Sequence, residues 1–201
     1  MVKKIFIMQI LPAFYNTLFS KYDTMILFVS IFVTIGTAIV LGAGVWDSIS
    51  HALRIPESFW TIQHITIYAG ASIVAISAIL GALVSIKNKK LDMALVVILI
   101  GATMQLGGGF ADYNFHEVYG IDGLVTSSHL TVESGLFLSA LGGLLAISKV
   151  NRNKLKLFIP ISVITTLLSA SWVLFNVTLL VGNIALCLPI YELFSSGCAV
   201  M

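Results

Sequence analysis

The chain has 201 residues, of which 58% are hydrophobic and only 10% are charged, and its mean hydropathy is +1.02. Soluble domains carry about 25% charged residues because their surfaces face water, so this composition excludes a soluble globule and predicts an all-α integral membrane protein in a lipid bilayer. The net charge of +2 comes from basic clusters at the ends of apolar runs, which is typical of membrane topology signals and not of a nucleic-acid surface.

Five apolar runs are long enough to cross a bilayer as helices, which takes about 20 residues each. They cover about residues 24–46, 59–86, 91–110, 124–148 and 157–188. The shorter run before them, in residues 1–22, is interrupted by Pro12 and Asn16 and predicts an interfacial N-terminal helix. Pro189 ends the fifth run, and the two cysteines near it, Cys187 and Cys198, are too few and too far apart for a zinc ribbon or a disulfide framework.

Ten of the eleven basic residues fall in three clusters, which are Lys3, Lys4 and Lys21, then Lys87, Lys89 and Lys90, then Lys149, Arg152, Lys154 and Lys156. Cytoplasmic loops carry an excess of Lys and Arg, so we expect the N-terminus and all three clusters to be cytoplasmic in a multi-pass protein of the cell membrane. The polar segments 47–58 and 112–123, and the C-terminus, are then extracytoplasmic.

The two polar segments share a pattern that recurs at a constant offset and without a gap. Asp47, His51 and His64 match Asp112, His116 and His129, and these two sets contain all four histidines of the chain. The flanking positions match at the same offset, including Gly42 with Gly107, Thr61 with Thr126 and Gly70 with Gly135. The sequence therefore predicts two parallel helix-hairpin repeats, at 23–90 and 91–156, followed by a fifth helix and tail at 157–201.

Each set has the ligand types of an open metal site. Asp and His four residues apart lie on one face of a helix, and the second His begins the returning helix. Two imidazoles and one carboxylate suit copper, zinc or iron and leave coordination positions open for water, oxygen or a substrate. Asp and His near lipid are costly unless they are paired or coordinated, which favours a functional role. The alternative is that the Asp–His pairs are hydrogen-bonded helix caps.

Four further residues are candidates for supporting roles. Glu133 lies four residues after His129, and we interpret it as a partner of the ligands or as an additional ligand, with Tyr68 at the matching place in the first repeat. Glu57 and Asp122, which also match each other, are interpreted as caps or as partners of the ligands.

The pattern Asp-x3-His-x12-His followed by a membrane helix resembles the metal-binding segment of the C subunit of the copper membrane monooxygenases, which oxidise methane or ammonia. The resemblance is confined to the two units and their flanking helices, and Phe59-Trp60-Thr61 is similar to the family's aromatic stretch before its second His. It implies copper at Asp47, His51 and His64, and a second set at Asp112, His116 and His129. This chain differs in carrying the unit twice and in having Ile62-Gln63 and Ser127-Ser128 where the family places a Pro.

Three functions follow as hypotheses. The first is a subunit or relative of a copper-dependent membrane monooxygenase, which implies partner subunits or a homo-oligomer and a small apolar or ammonia-like substrate; the sequence identifies no catalytic residue. The second is non-enzymatic storage or delivery of a metal, and the third is a structural subunit with His–Asp capped helices. The sequence leaves open which metal binds and whether the units form one site or two.

Overall fold

The structure is a computed structural model that describes residues 22–53, 60–89, 92–119, 125–150 and 157–186. These residues form five helices, α1 Tyr22–Ala52, α2 Ile62–Lys87, α3 Met93–Tyr119, α4 Ser127–Ser148 and α5 Phe158–Leu186. All five are long and apolar enough to cross a membrane, with candidate spans of 22 to 27 residues. The prediction of an all-α protein with five membrane-spanning helices is confirmed. Residues 1–21, and the tail with Cys187 and Cys198, lie outside the described ranges.

The first four helices form a bundle of two hairpins. The most extensive packing is between α3 and α4 and between α1 and α2, and contacts of α1 with α4 and of α2 with α3 join the hairpins. α5 packs against α4 and α1. Only 22% of its span is buried within the chain, against 44% or more for the other spans, so α5 lies at the periphery of the bundle.

Glycines set the close approach of the helices in each hairpin. A Cβ atom added to Gly36 or Gly70 would lie 2.9 Å from the carbonyl oxygen of the other, so the backbones of α1 and α2 nearly touch. Gly101 and Gly135 do the same between α3 and α4, at 2.6 and 2.7 Å. Small residues commonly allow such contacts between membrane helices. The second pair of glycines matches the first at the offset that relates Asp112 to Asp47.

The described parts of the polar segments after the first and third spans, residues 47–52 and 112–119, are helical, which corrects the predicted span ends at residues 46 and 110. α1 continues to Ala52 and α3 to Tyr119, so both Asp-x3-His pairs lie within helices. Within these helices, Gly109 and Gly44 are packing sites. A Cβ atom on Gly109 would lie 3.0 Å from the Tyr68 hydroxyl, and one on Gly44 would lie 3.4 Å from the Trp172 ring. Tertiary packing thus overrides the low helix propensity of Gly.

A polar cluster around Asp92 joins three helices at the end of the bundle away from Asp47 and Asp112. The Asp92 carboxylate accepts hydrogen bonds from the Tyr22 hydroxyl and the Ala94 N–H, both at 2.9 Å, and forms an ion pair with Lys149. Burial alone would raise the pKa of Asp92, but the hydrogen bonds from Lys149, Tyr22 and Ala94 outweigh it and hold the pKa below its usual value. The cluster joins the beginnings of α1 and α3 to the end of α4.

Candidate metal centre

Threonine caps place one histidine near the beginning of each returning helix. The Thr61 hydroxyl accepts a hydrogen bond from the His64 N–H at 3.4 Å, and the Thr126 hydroxyl accepts one from the His129 N–H at 3.2 Å. An N-cap residue satisfies an amide two or three positions on, which fixes the register of the first turn. Each histidine therefore lies at the same helical position, facing the end of the helix that precedes it.

The three predicted ligands of the second unit come together around Asp112. Its Oδ1 lies 3.2 Å from His129 Nε2, and its Oδ2 lies 3.8 Å from His116 Nε2. Each of the three residues offers one ligand atom, and these atoms all lie within 4.8 Å of one another, so the group could hold a metal ion. The Asp112 residue is only 5% exposed. The i, i+4 pair and the returning helix thus meet as the spacing predicted.

Ser128 is part of this group, and the sequence reasoning did not identify its role. Its hydroxyl donates a hydrogen bond of 2.9 Å to Asp112 Oδ1. Groups that hydrogen-bond a ligating carboxylate orient it and tune the site. The repeat gave no signal for Ser128, because Gln63 stands at the matching position and donates instead to the Ser50 hydroxyl, at 2.9 Å.

The first unit is described only in part. His64 Nε2 lies 3.5 Å from Asp47 Oδ1, and both residues are buried, at 5% and 6% exposure. The side chain of His51, the third predicted ligand, lies outside the described part of the structure, although its backbone belongs to α1. The structure therefore brings two of the three predicted ligands together and does not test the third.

The two units converge on one place between the hairpins. The rings of His64 and His116 lie 5.8 Å apart, edge to face, although they belong to different units. A cavity of about 50 Å³ is lined by ligand residues from both units, Asp47 and His64 from the first and Asp112 and His129 from the second. We call this the metal-side cavity.

Of the four predicted supporting residues, the structure describes Tyr68 and Glu133. The Tyr68 hydroxyl donates to the Gly109 carbonyl at 2.7 Å, and Tyr68 also lines the metal-side cavity. Glu133 lies outside the group of three ligands and accepts a 2.6 Å hydrogen bond from the Asn176 amide of α5, a contact that the sequence did not indicate. Glu57 and Asp122 lie outside the described residues.

The chemistry of the group fits a metal ion. Two carboxylates and three imidazoles lie in a largely buried region of an apolar bundle, where charge without compensation is costly. Neutral imidazoles and ionised carboxylates are the forms that bind metals. A bound cation would neutralise the charge of the carboxylates and would be coordinated by the imidazole nitrogens.

Comparisons of the chain with protein-family models, curated proteins and solved structures find no match. The fold and the site together define the class. The chain is a multi-pass helical protein with an Asp/His group that could hold a metal ion, and this combination fits a membrane metal-binding protein.

Proposed function

We propose that this chain binds copper in the membrane through Asp112, His116 and His129, with Asp47 and His64 in the same centre. The observation that carries the proposal is that the second unit offers three ligand atoms within 4.8 Å of one another on two packed helices. The approach of His64 to His116 supports one shared centre in place of two distant ones.

Copper is proposed on two grounds. Imidazole nitrogen with carboxylate oxygen suits copper, and the group of ligands among the described residues contains neither Cys nor Met, which argues against a thiolate or thioether carrier of Cu(I). The unit also resembles the copper-binding segment of the membrane monooxygenases. By that resemblance the chain is a subunit or relative of such an enzyme, with other membrane subunits as partners. Bound copper in an open site would supply redox chemistry with dioxygen.

We further propose that the two hairpins are repeats with their Asp/His ends on the extracytoplasmic side. Features that match at one constant offset support the repeat, namely the facing glycines, the threonine caps and the Asp–His contacts. The orientation is supported by Lys87 and Lys149, which lie at the ends of α2 and α4 away from the Asp/His group.

A structural role is the second candidate, and one observation favours it. Asp112 already accepts a hydrogen bond from Ser128 and contacts two histidines, so part of its compensation comes from protein groups alone. In that case the Asp–His contacts stabilise the bundle without a metal. Storage or delivery of copper without catalysis shares every ligand of the first proposal and differs only in lacking turnover.

Elemental analysis of the full-length protein in lipid nanodiscs tests the proposal. Wild-type protein, loaded with copper and freed of excess, is expected to retain it in stoichiometric amount. His129→Ala and His116→Ala should each lose most of it, since each removes one of the two imidazoles that lie beside Asp112. Oxygen consumption by the copper-loaded protein with its partner subunits then separates catalysis from storage.

Asn114→Ala is a matched control for these variants. Asn114 lies between Asp112 and His116 on α3 but is exposed, and its amide donates to the Phe110 carbonyl of its own helix. It should retain copper as the wild type does. Copper content that stays unchanged in both histidine variants would support the structural role and reject the metal centre.

A further inference from the structure

A second cavity, of about 70 Å³, shares a wall with the metal-side cavity. Asp47 and His129 line both. The rest of its wall is mostly apolar and comes from α1, α2, α4 and α5, with Val40, Leu136 and Trp172 among its lining residues. We call it the Glu133 cavity, because Glu133 is the only lining carboxylate besides Asp47 among the described residues.

The two cavities occupy matching places in the two hairpins. Eight lining residues of one correspond to eight of the other at the offset that relates Asp112 to Asp47. The matched pairs are Val40 with Gln105, Gly44 with Gly109, Asp47 with Asp112, Ile67 with Val132, His129 with His64, Val132 with Ile67, Glu133 with Tyr68 and Leu136 with Ala71. The residue types at matching positions therefore show how the chemistry of the two cavity walls differs.

The differences make the Glu133 cavity more apolar than the metal-side cavity and add the carboxyl group of Glu133 to its wall. Gln105 and Ala71 of the metal-side cavity are replaced by Val40 and Leu136 in the Glu133 cavity. Tyr68, whose hydroxyl is used in a hydrogen bond to α3, is replaced by Glu133. The Glu133 cavity is thus suited to an apolar molecule with a small polar group.

The Glu133 carboxyl group has an unused acceptor. Its Oε1 accepts from Asn176, whereas its Oε2 is buried and has no hydrogen-bond partner within the described residues. The Trp172 indole interacts with the same carboxyl group but does not complete a hydrogen bond to Oε2. A buried acceptor without a partner costs about as much free energy as a lost hydrogen bond, so such atoms commonly mark a place for a missing group. When Glu133 is ionised, the missing group is a donor.

We propose that the Glu133 cavity binds a small molecule of a few heavy atoms that has an apolar end and one O–H or N–H donor, such as a short alcohol or amine. Its donor pairs with Glu133, and its apolar end packs among Val40, Leu136 and Trp172. His129 separates this molecule from the metal-side cavity. This inference rests on the proposed function, because it places the bound molecule beside His129, a proposed metal ligand.

Binding of fluorinated two-carbon molecules to the full chain in nanodiscs tests the proposal by fluorine NMR. Fluoroethanol and fluoroethylamine have a donor, and fluoroethane has none. At least one donor molecule should bind saturably, with a dissociation constant about tenfold or more below that of fluoroethane. The reason is that hydrogen bonds to a buried carboxyl group are strong. The two donor molecules distinguish an alcohol site from an amine site.

Two variants locate the binding. Glu133→Leu should remove the advantage of the donor molecule over fluoroethane, and Leu136→Phe should abolish binding of all three by filling the cavity while keeping the carboxyl group. Asn114→Ala, which is exposed on α3 and lines neither cavity, should bind as the wild type does. If Glu133→Leu does not fold, Leu136→Phe and the comparison among the three molecules still decide.

Equal binding of the donor molecules and fluoroethane to the wild type would overturn the inference, and so would binding unaffected by Leu136→Phe. Copper content measured on the same samples separates the two proposals. Copper without donor-dependent binding rejects only the ligand chamber. Donor-dependent binding without copper rejects only the metal centre.

Discussion

The rings of His64 and His116 lie 5.8 Å apart, although one begins α2 and the other lies in the last turns of α3. This contact joins the two Asp/His units across the boundary between the hairpins. Asp47 and His129 meet at the wall common to both cavities, which gives a second connection between the units. The two sets of ligands, separate in sequence, are neighbours in space.

His64→Ala tests whether the units share one centre. Removing His64 should weaken copper binding about tenfold or more, and it should also change the visible and EPR spectra of the copper that remains at Asp112, His116 and His129. Thr66→Val is the control, because the Thr66 hydroxyl is exposed and donates only to the Ile62 carbonyl. An unchanged spectrum in His64→Ala would mean that the second unit binds metal independently of the first.

Ser128→Ala tests the hydrogen bond that orients Asp112. The variant leaves all ligands in place but removes the donor 2.9 Å from Oδ1, and the expected loss of copper affinity is about 10- to 100-fold. Competition with a copper chelator measures it. The neighbouring Ser127 is exposed, so Ser127→Ala should retain the wild-type affinity. Equal affinities for the two variants would contradict a supporting role for Ser128.

Gly135→Ala tests the close contact of α3 and α4. The new Cβ atom would lie 2.7 Å from both the Gly101 carbonyl oxygen and the Gln105 nitrogen, and neither backbone atom can move independently of its helix. We expect a loss of about 1–3 kcal/mol of stability, seen as a lower midpoint of thermal unfolding in detergent. Gly107→Ala is the control, because nothing lies within 4 Å of its Cβ position. It should be neutral or slightly stabilising, since Ala favours helix.

Asp92→Asn tests the cluster at the other end of the bundle. The pKa of Asp92 is lowered in the folded protein, so its ionised form stabilises the fold above the ordinary value of 3.8, and this contribution is lost as the pH falls through the lower folded value. At pH 7 the variant should be less stable by on the order of 1 kcal/mol. The difference in unfolding midpoint between the two proteins should persist from pH 7 to about pH 5 and diminish only below about pH 4. The exposed Glu117→Gln is the control and should leave the unfolding midpoint at pH 7 unchanged.

The five helices were predictable because lipid imposes long apolar runs, and the group at Asp112 was predictable because a four-residue spacing places Asp and His on one helical face. The ends of α1 and α3 were not, since Gly109 and Gly44, whose residue type disfavours helix, pack against Tyr68 and Trp172 from other helices. The distance between the His64 and His116 rings depends on how the two hairpins pack against each other. The hydrogen bond from Asn176 to Glu133 depends on how α5 packs against α4. Such distances are set by contacts between helices and leave no periodic signal in the chain.

The shared walls of the cavities affect how the protein is made. Asp47 and His64 belong to the first hairpin and Asp112 and His129 to the second, so no complete cavity exists while only α1 and α2 have entered the bilayer. A metal centre that uses both units would therefore have all of its residues together only after α4 has packed against α3.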